Sequence, residues 1–471
     1  MAAPMRVFNT LGRVLTDLEP AAPARLGMYV CGPTVQSEPH LGHGRSAVAF
    51  DVIRRYLRWR GYDVTFVRNI TDIEDKIIAA ARERGLSAAE LAEEMSERFA
   101  ETFAALAVEA PDVEPRATDH IPEIIELIER LISRGLAYPS GGDVYFPVRG
   151  FETYGKLSGR RPDELLAGAR VEVSELKRDP LDFALWKAAK PGEPRWDSPW
   201  GPGRPGWHIE CSAMAMKYLG ETLDIHGGGS DLIFPHHENE IAQSEGATGK
   251  PFAHYWLHNG MVNLGGEKMS KSTGVLVDLA EAIRRHGGMA VRLLYLRAHY
   301  RSPLDFREEL IADAAAAFER LERFRRRFPP TDAPADPDVL DRFRAVMDED
   351  FGTPEAVGLL FDVVRDANRR ADAGGDPSAL VAAFHEIAGV LGLLGNSTGV
   401  DDLTQELASL AREFGLEAPP TPEASVEALL ERRRRAREAR DWSLADAIRG
   451  RLDALGIVVE DSADGTRWHR R

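Results

Sequence analysis

The sequence predicts an α/β protein: a doubly wound parallel sheet interrupted by an insertion, followed by a helical bundle and a small C-terminal domain. Three observations carry this. Residues 28–35 (MYVCGPTV), 43–60 and 63–70 (DVTFVRNI) read as strand, helix and strand, and the stretch 220–245 reads again as strand, glycine-rich loop and helix. After that, residues 279–395 are almost wholly helical.

The first helix is set by Val48, Val52 and Tyr56, four apart, with Ala49, Ile53 and Leu57 beside them as one apolar stripe, and Gly61 ends it. Strand–helix–strand in this order makes a right-handed βαβ unit, whose ligand crevice lies at the carboxyl ends of the strands in a Rossmann-like sheet. Residues 76–109 read as a charge-laced helix and 119–137 as a clean amphipathic one. From Tyr138 to Pro205 the character changes to short strands, tight glycine turns and a Pro/Trp-rich run, which is read as an insertion. Pro-rich runs at 329–337 and 416–425 read as linkers. The expected domains are residues 1–120 with 206–260 for the sheet, 121–205 for the insertion, 261–310 around a lysine-rich loop, 311–415 for the bundle and 426–471 for the tail.

Composition limits what the protein does. At 471 residues the chain has room for about three domains of ~150 residues. An apolar fraction of 44% with 28% charged residues is that of a soluble globular protein. The first twenty residues lack a signal pattern, and no run approaches the ~18 apolar residues of a membrane span, so a cytoplasmic protein without a membrane partner is expected. The net charge of −16 offers nucleic acid no body-wide attraction, so such a partner must meet local basic patches. Two cysteines, Cys31 and Cys211, exclude a disulfide framework. The plain reading is two small buried hydrophobes.

Two strings carry the chemistry. His40-Leu41-Gly42-His43 sits at a helix start, where unpaired N–H groups and the helix dipole favour phosphate. Lys268-Met269-Ser270-Lys271-Ser272 supplies two cations for charge developing on a triphosphate. Together they read as a nucleotide-activating pair. His236 and Glu240 are four apart on a helix opened by Pro235, so both project from one face. With Cys31 at the end of the first strand and Cys211 in GWHIECS, they make a plausible tetrahedral Cys₂HisGlu set for zinc. His208, His237, Glu210 and Glu238 are rivals on spacing; His237, turned about 100° from His236, is expected beside the site or facing a ribose.

The segments CGPTV…HLGHGRS, VRNITDIEDKI, GWHIECSAM, DIHGGGSDLIFPHHENEIAQSE and GEKMSKSTG resemble cysteinyl-tRNA synthetase, a class I aminoacyl-tRNA synthetase, over Met28 to Trp468. HLGH stands for the family's HIGH, and Gln36-Ser37-Glu38 is less aromatic than the family's version. The resemblance implies that Cys31, Cys211, His236 and Glu240 bind one zinc ion, which takes the thiolate of L-cysteine, and that Trp207 walls the amino-acid pocket. It implies that His40, Gly42 and His43 hold the phosphates of ATP (with Mg²⁺), that Lys268 and Lys271 cover the pyrophosphate, and that the Gly227–Asp231 loop seats adenosine through Gly229 and Asp231. The tail, with its Arg432–Arg435 run, would read the anticodon of tRNA(Cys) through Arg437, Trp442, Asp446 and Asp461; a monomer is the family's expectation. The alternative is a mycothiol-pathway ligase that joins cysteine to an amino-sugar conjugate. It shares the catalytic domain but has no tail like 426–471. A non-catalytic RNA-binding relative would need neither the lysines nor the metal set.

Overall fold

The computed structural model describes residues 4–163, 176–264, 267–268, 277–394, 403–416, 419, 421–462 and 465–470. A hairpin opens the chain, β1 (Arg6–Asn9) and β2 (Val14–Asp17). Then come β3 (Arg25–Val30), α1 (Leu41–Trp59) and β4 (Asp63–Arg68), the expected βαβ unit. The helical stretch that follows divides into α2 (Asp75–Arg84) and α3 (Ala88–Ala105). Gly85 ends α2 in the left-handed region at φ 70°, and Ser87 with Glu90 forms a capping box that starts α3. Amphipathic α4 (Ile121–Ser133) is next.

The insertion is a four-stranded antiparallel sheet of β5 (Tyr138–Ser140), β6 (Asp143–Phe146), β7 (Phe183–Ala188) and β8 (Gly203–Pro205). Leu127, Leu131, Phe146, Trp186 and Ile209 share its core with α4 and with α5 (Trp207–Leu219), so the insertion packs directly on the helix that carries Cys211. The chain then returns to the main sheet through β9 (Leu223–Gly229), α6 (Glu238–Thr248) and β10 (Ala253–Asn259).

Strands run parallel in the order β10-β9-β3-β4. The crossover from β3 leads to β4 on one side while β9 and β10 lie on the other, so the topological switch point falls between β3 and β9. Gly227, Gly228 and Gly229, expected in a loop, are instead strand residues of β9. A Cβ at Gly227 would overlap the Phe50 ring, so the absence of a side chain lets α1 approach the sheet. Only the turn Ser230–Leu232 lies beyond the strand.

Beyond the sheet lie β11 (Val262–Leu264), β12 (Glu267–Lys268), α7 (Leu279–His286), α8 (Gly288–Leu296), β13 (Leu304–Phe306), α9 (Glu308–Arg327), α10 (Pro337–Met347), α11 (Thr353–Asp372) and α12 (Ser378–Val390). β13 interrupts the helical run because it pairs parallel with β11.

The chain divides into two compact units, Met1–Leu393 and Leu394–Arg471. The second holds α13 (Thr404–Glu413), α14 (Pro422–Glu438), α15 (Trp442–Ala454) and the hairpin β14 (Ile457–Ser462)–β15 (Gly465–Arg470). Its core joins Leu407 and Leu410 of α13 to Val426, Leu429, Ile448, Leu452 and Ile457, so α13 packs with the tail and lies outside the bundle. The prolines read as linker partly start a helix: Thr421 caps α14 and Pro422 takes its first position. Among the described residues no helix is long and apolar enough to cross a membrane.

Candidate active site

The carboxyl ends of β3, β9 and β10 and the N-terminus of α1 surround a cleft of about 290 Å³. Cys31, Gly32, His40, Gly42, His43, Trp207, Gly229 and Asp231 all line it. Cys31 follows β3 and is tied by its amide to the Gly227 carbonyl at 3.0 Å. Gly32 follows, its amide donating to Asn69 Oδ1 at 2.9 Å; a Cβ there would overlap the Asn69 carbonyl oxygen.

Next to the cleft, which Cys31 lines, the ligand atoms of Cys31, Cys211, His236 and Glu240 all lie within 4.8 Å of one another, in one buried cluster. Cys31 Sγ is 3.3 Å from Glu240 Oε1. His236 Nε2 is 3.0 Å from the same oxygen but lacks the alignment of a hydrogen bond. A hydrogen bond from Cys31, opposed by burial, draws the Cys211 thiol down to about 6. Burial pushes Cys31 well up. Burial also opposes charge on His236, but Glu240 and Cys211 outweigh it and raise its pKa to about 10. Burial likewise works against the Glu240 carboxylate, and His226 with His236 overcomes this and holds it ionised. Two thiols, an imidazole and a carboxylate at this spacing suit a soft divalent cation in tetrahedral coordination, where Zn–S of about 2.3 Å and Zn–N of about 2.0 Å imply ligand separations under 4 Å.

Sequence reasoning missed part of this cluster. His226 of β9 is fully buried, its Nε2 2.9 Å from Glu240 Oε2, and it stacks on Trp256 at 4.5 Å. With Cys31, His237 and Glu240 it makes a second four-residue group of metal-ligating type. His258 was also missed: His237 Nδ1 meets its Nε2 at 2.8 Å, and its Nδ1 meets Thr10 Oγ1 at 2.8 Å. Both histidines stand on strands where a polar residue should face an apolar layer, which was the signal available. Of the rival ligands, His208 bonds His236 through the two Nδ1 atoms at 2.9 Å. Glu238 accepts from the Gly155 and Ser158 amides, anchoring the insertion. Glu210 is wholly buried with both oxygens unpartnered, and burial pushes its carboxyl well up.

Trp207, at the first position of α5, stacks on His236 at 4.5 Å and so stands between the cluster and the open cleft. At the other end His40 caps α1: its Nδ1 accepts from the Gly42 amide at 3.1 Å, and His43 Nδ1 accepts from the His40 amide at 3.1 Å. Both rings, stacked at 3.7 Å, therefore carry their proton on Nε2. Lys268 lies on β12, opposite Asn263 of β11. Lys271 falls in 269–276, outside the described residues. The chain that follows is bonded to the His40 segment: Leu41 N reaches Val277 O and Leu279 N reaches Pro39 O. The far end of the lysine-rich loop is thus fixed beside the cleft, while its near end is paired to β11.

Residues 17–316 match the family described as tRNA synthetases class I (C) catalytic domain, residues 342–395 the DALR domain and residues 420–468 the cysteinyl-tRNA ligase anticodon binding domain. The cysteine–tRNA ligase of Geobacter sulfurreducens is 48% identical over 484 residues, covering 98% of this chain and 99% of its own length. That of Shewanella loihica is 48% identical over 470 residues, covering 99% and 100%. The chain belongs to the cysteine–tRNA ligase family. It is an enzyme of the class I aminoacyl-tRNA synthetases. Among solved structures, methionyl-tRNA synthetase of Mycobacterium tuberculosis bound by methionyl-adenylate shares the fold with a TM-score of 0.60 at 18% identity, covering 86% of this chain and 98% of that one.

In this family frame, residues 420–468 fall within the second unit. There Trp442 opens α15 with 57% of its surface exposed, and Asp446 follows one turn later on the same face. Arg437 is exposed in the last turn of α14. Asp461 stands on β14 opposite Thr466, its side chain outside the described residues. The arginine run has divided duties. Arg433 is buried, whereas Arg434 pairs with Glu431 and Glu438 and Arg435 pairs with Glu431. A match to an anticodon-binding model does not favour the amino-sugar ligase.

Proposed function

We propose that the chain activates L-cysteine with ATP to cysteinyl-adenylate and passes the cysteinyl group to tRNA(Cys), with zinc selecting the substrate thiol. The observation that carries this reading is the cluster of both cysteines, His236 and Glu240, which reaches through Cys31 the same cleft that His40 and His43 line. Cys31, Cys211, His236 and Glu240 would hold the ion. They are preferred to the group with His226 and His237 because two thiolates suit zinc better than one. When bound, the ion supplies a soft Lewis acid for the substrate sulfur. Cysteine and serine are nearly isosteric, which hydrogen bonds alone separate poorly. A hydroxyl stays protonated at neutral pH and is the harder donor.

The remaining roles belong to the chain itself. Trp207 closes the amino-acid side. The Nε2–H groups of His40 and His43, at the positive end of the α1 dipole, donate to phosphate oxygens of ATP, which is bound with Mg²⁺. Asp231 accepts from a ribose hydroxyl, and Gly229 lets the nucleotide approach the backbone. Lys268 and Lys271 neutralise the departing pyrophosphate. The amino-acid carboxylate is already the nucleophile, so no general base is required and catalysis is positioning with charge stabilisation. In the tail, Trp442 stacks an anticodon base while Arg437, Asp446 and Asp461 meet base edges. The test is cysteine-dependent pyrophosphate exchange, followed by charging of tRNA(Cys). Exchange without charging, or activation of serine as readily as cysteine, would refute the reading.

A further inference from the structure

A second cavity, of about 150 Å³, opens between the end of β4 and α3, on the side of the sheet away from β9. It shares Pro33, Arg68, Phe103, Val108 and Glu109 with the wall of the cleft, so the two spaces adjoin. Nothing proposed above for cysteine, ATP or the metal uses it.

Its chemistry is specific. Phe99 and Phe103 meet edge to face at 5.6 Å on α3. The Arg68 guanidinium lies 4.9 Å over the Phe103 ring. Arg68 is only 9% exposed, and its Nη2 is held by Glu114 Oε1 at 2.9 Å. Among the described residues its Nε and Nη1 have no protein partner. Glu109 and Glu114 also line the space. Glu114 is paired with Arg68 and Glu109 with Arg54 and Arg55, so each carboxylate's charge is met while it keeps free lone pairs. A purely apolar occupant would leave the remaining Arg68 donors unpaired. The site calls for a flat ring that stacks on an aromatic or guanidinium face, accepts from Arg68 and donates to a carboxylate. A nucleobase with an exocyclic amine, adenine or cytosine, has all three properties.

We infer that this cavity seats an unpaired amino-bearing base at the single-stranded acceptor end of the tRNA, beside the point where the aminoacyl group is transferred. The inference rests on the synthetase reading and adds an RNA subsite to it. Arg68 and Phe103 are binding residues of the transfer step.

The test separates the RNA base from the adenine of ATP. Ala100 is exposed on α3 at the rim, so Ala100→Trp fills the mouth without entering the core. In this variant pyrophosphate exchange and the KM for ATP should match wild type. The KM for tRNA in single-turnover transfer from preformed adenylate should rise about tenfold, as loss of one base stack does. Arg68→Gln should impair transfer more than exchange. A tRNA trimmed of its unpaired 3′ nucleotides should bind wild type and Ala100→Trp equally. Wild-type transfer by Ala100→Trp, or a parallel rise in the KM for ATP, would overturn the inference. Failure of the wild-type enzyme to charge tRNA at all would instead strike the proposed function. Should Arg68→Gln not fold, Ala100→Trp alone decides.

Discussion

Cys31 and Cys211 are the chain's only thiols, and the fold brings them from 180 positions apart to one buried cluster. Purified protein is therefore expected to carry one zinc per chain by elemental analysis. Cys211→Ser should lose most of it and raise the KM for cysteine, while the KM for ATP stays near wild type; full zinc in that variant would remove Cys211 from the ligand set. Gly32 bears on the same site from the backbone. A Cβ there meets the Asn69 carbonyl, so Gly32→Ala must push the end of β3 away from β4 and carry Cys31 with it. Its zinc content should fall although no ligand has changed. Lys271 is placed by its motif alone, and its cation should matter most while charge builds on pyrophosphate. Lys271→Ala should lower kcat for exchange by about 10²–10³, in the range for one electrostatic group, with little change in the KM for cysteine. Unchanged single-turnover adenylation would exclude that role.

At the scale of elements, α1 is the hub, because its N-terminus faces the cleft while its middle is stapled to the bundle. Asp51 of α1 receives Arg292 Nη2 at 2.6 Å and the Glu109 amide at 2.9 Å, and Arg292 also donates to Leu391 O at the end of α12. Burial works against the Asp51 carboxylate, yet Arg292, Arg55 and the Glu109 amide outweigh it and leave its pKa below the ordinary value. A depressed carboxyl contributes stability above its unfolded pKa of about 3.9 and loses it as pH falls through the lower folded value. Asp51→Asn should cost about 3 kcal/mol at neutral pH by leaving Arg292 buried and unpaired. The gap between wild type and variant in urea unfolding should narrow below about pH 4. A constant gap from pH 7 to pH 3 would show that the pair does not carry the effect. Elements of this kind were legible where periodicity was strong, as in α1, β4 and α4. The nucleotide strings and the four metal-type residues were legible because their side-chain chemistry is unusual. What escaped depended on contacts distant in sequence. The glycines of β9 look like a loop until Phe50 is known to press on Gly227. His226 and His258 look like chance polar residues in strands until they meet Glu240 and His237. The break at Gly85 needed the capping pair Ser87 and Glu90 to be weighed against a continuous charge pattern.

For the molecule as a whole, the division at Leu393/Leu394 sets how the two chemistries can be separated. Every residue assigned to adenylation precedes it, and every assigned anticodon residue follows it. A cut in the proline-rich run at Pro422 would be the natural choice from composition, but it severs α13 from α14. Leu407 and Leu410, buried against Val426 and Leu429, would then face water. At about 25 cal/mol per Å² such exposure costs a few kcal/mol and invites aggregation. Ending the chain at Leu393 leaves no such surface from the second unit. That truncated enzyme should keep cysteine-dependent pyrophosphate exchange close to wild type, whereas one cut at Pro422 should be less soluble for the same catalytic content. Both should charge tRNA(Cys) poorly, because anticodon stacking worth about 1–3 kcal/mol per base is gone. The charge balance gives the same step a salt signature. With a net charge of −16, tRNA must be held at local arginine clusters, and each phosphate contact releases counterions. The KM for tRNA of the full chain should therefore climb steeply with salt, more steeply than that of the Leu393 truncation. Equal salt slopes, or charging by the truncated enzyme at the full rate, would mean that the second unit does not hold the RNA.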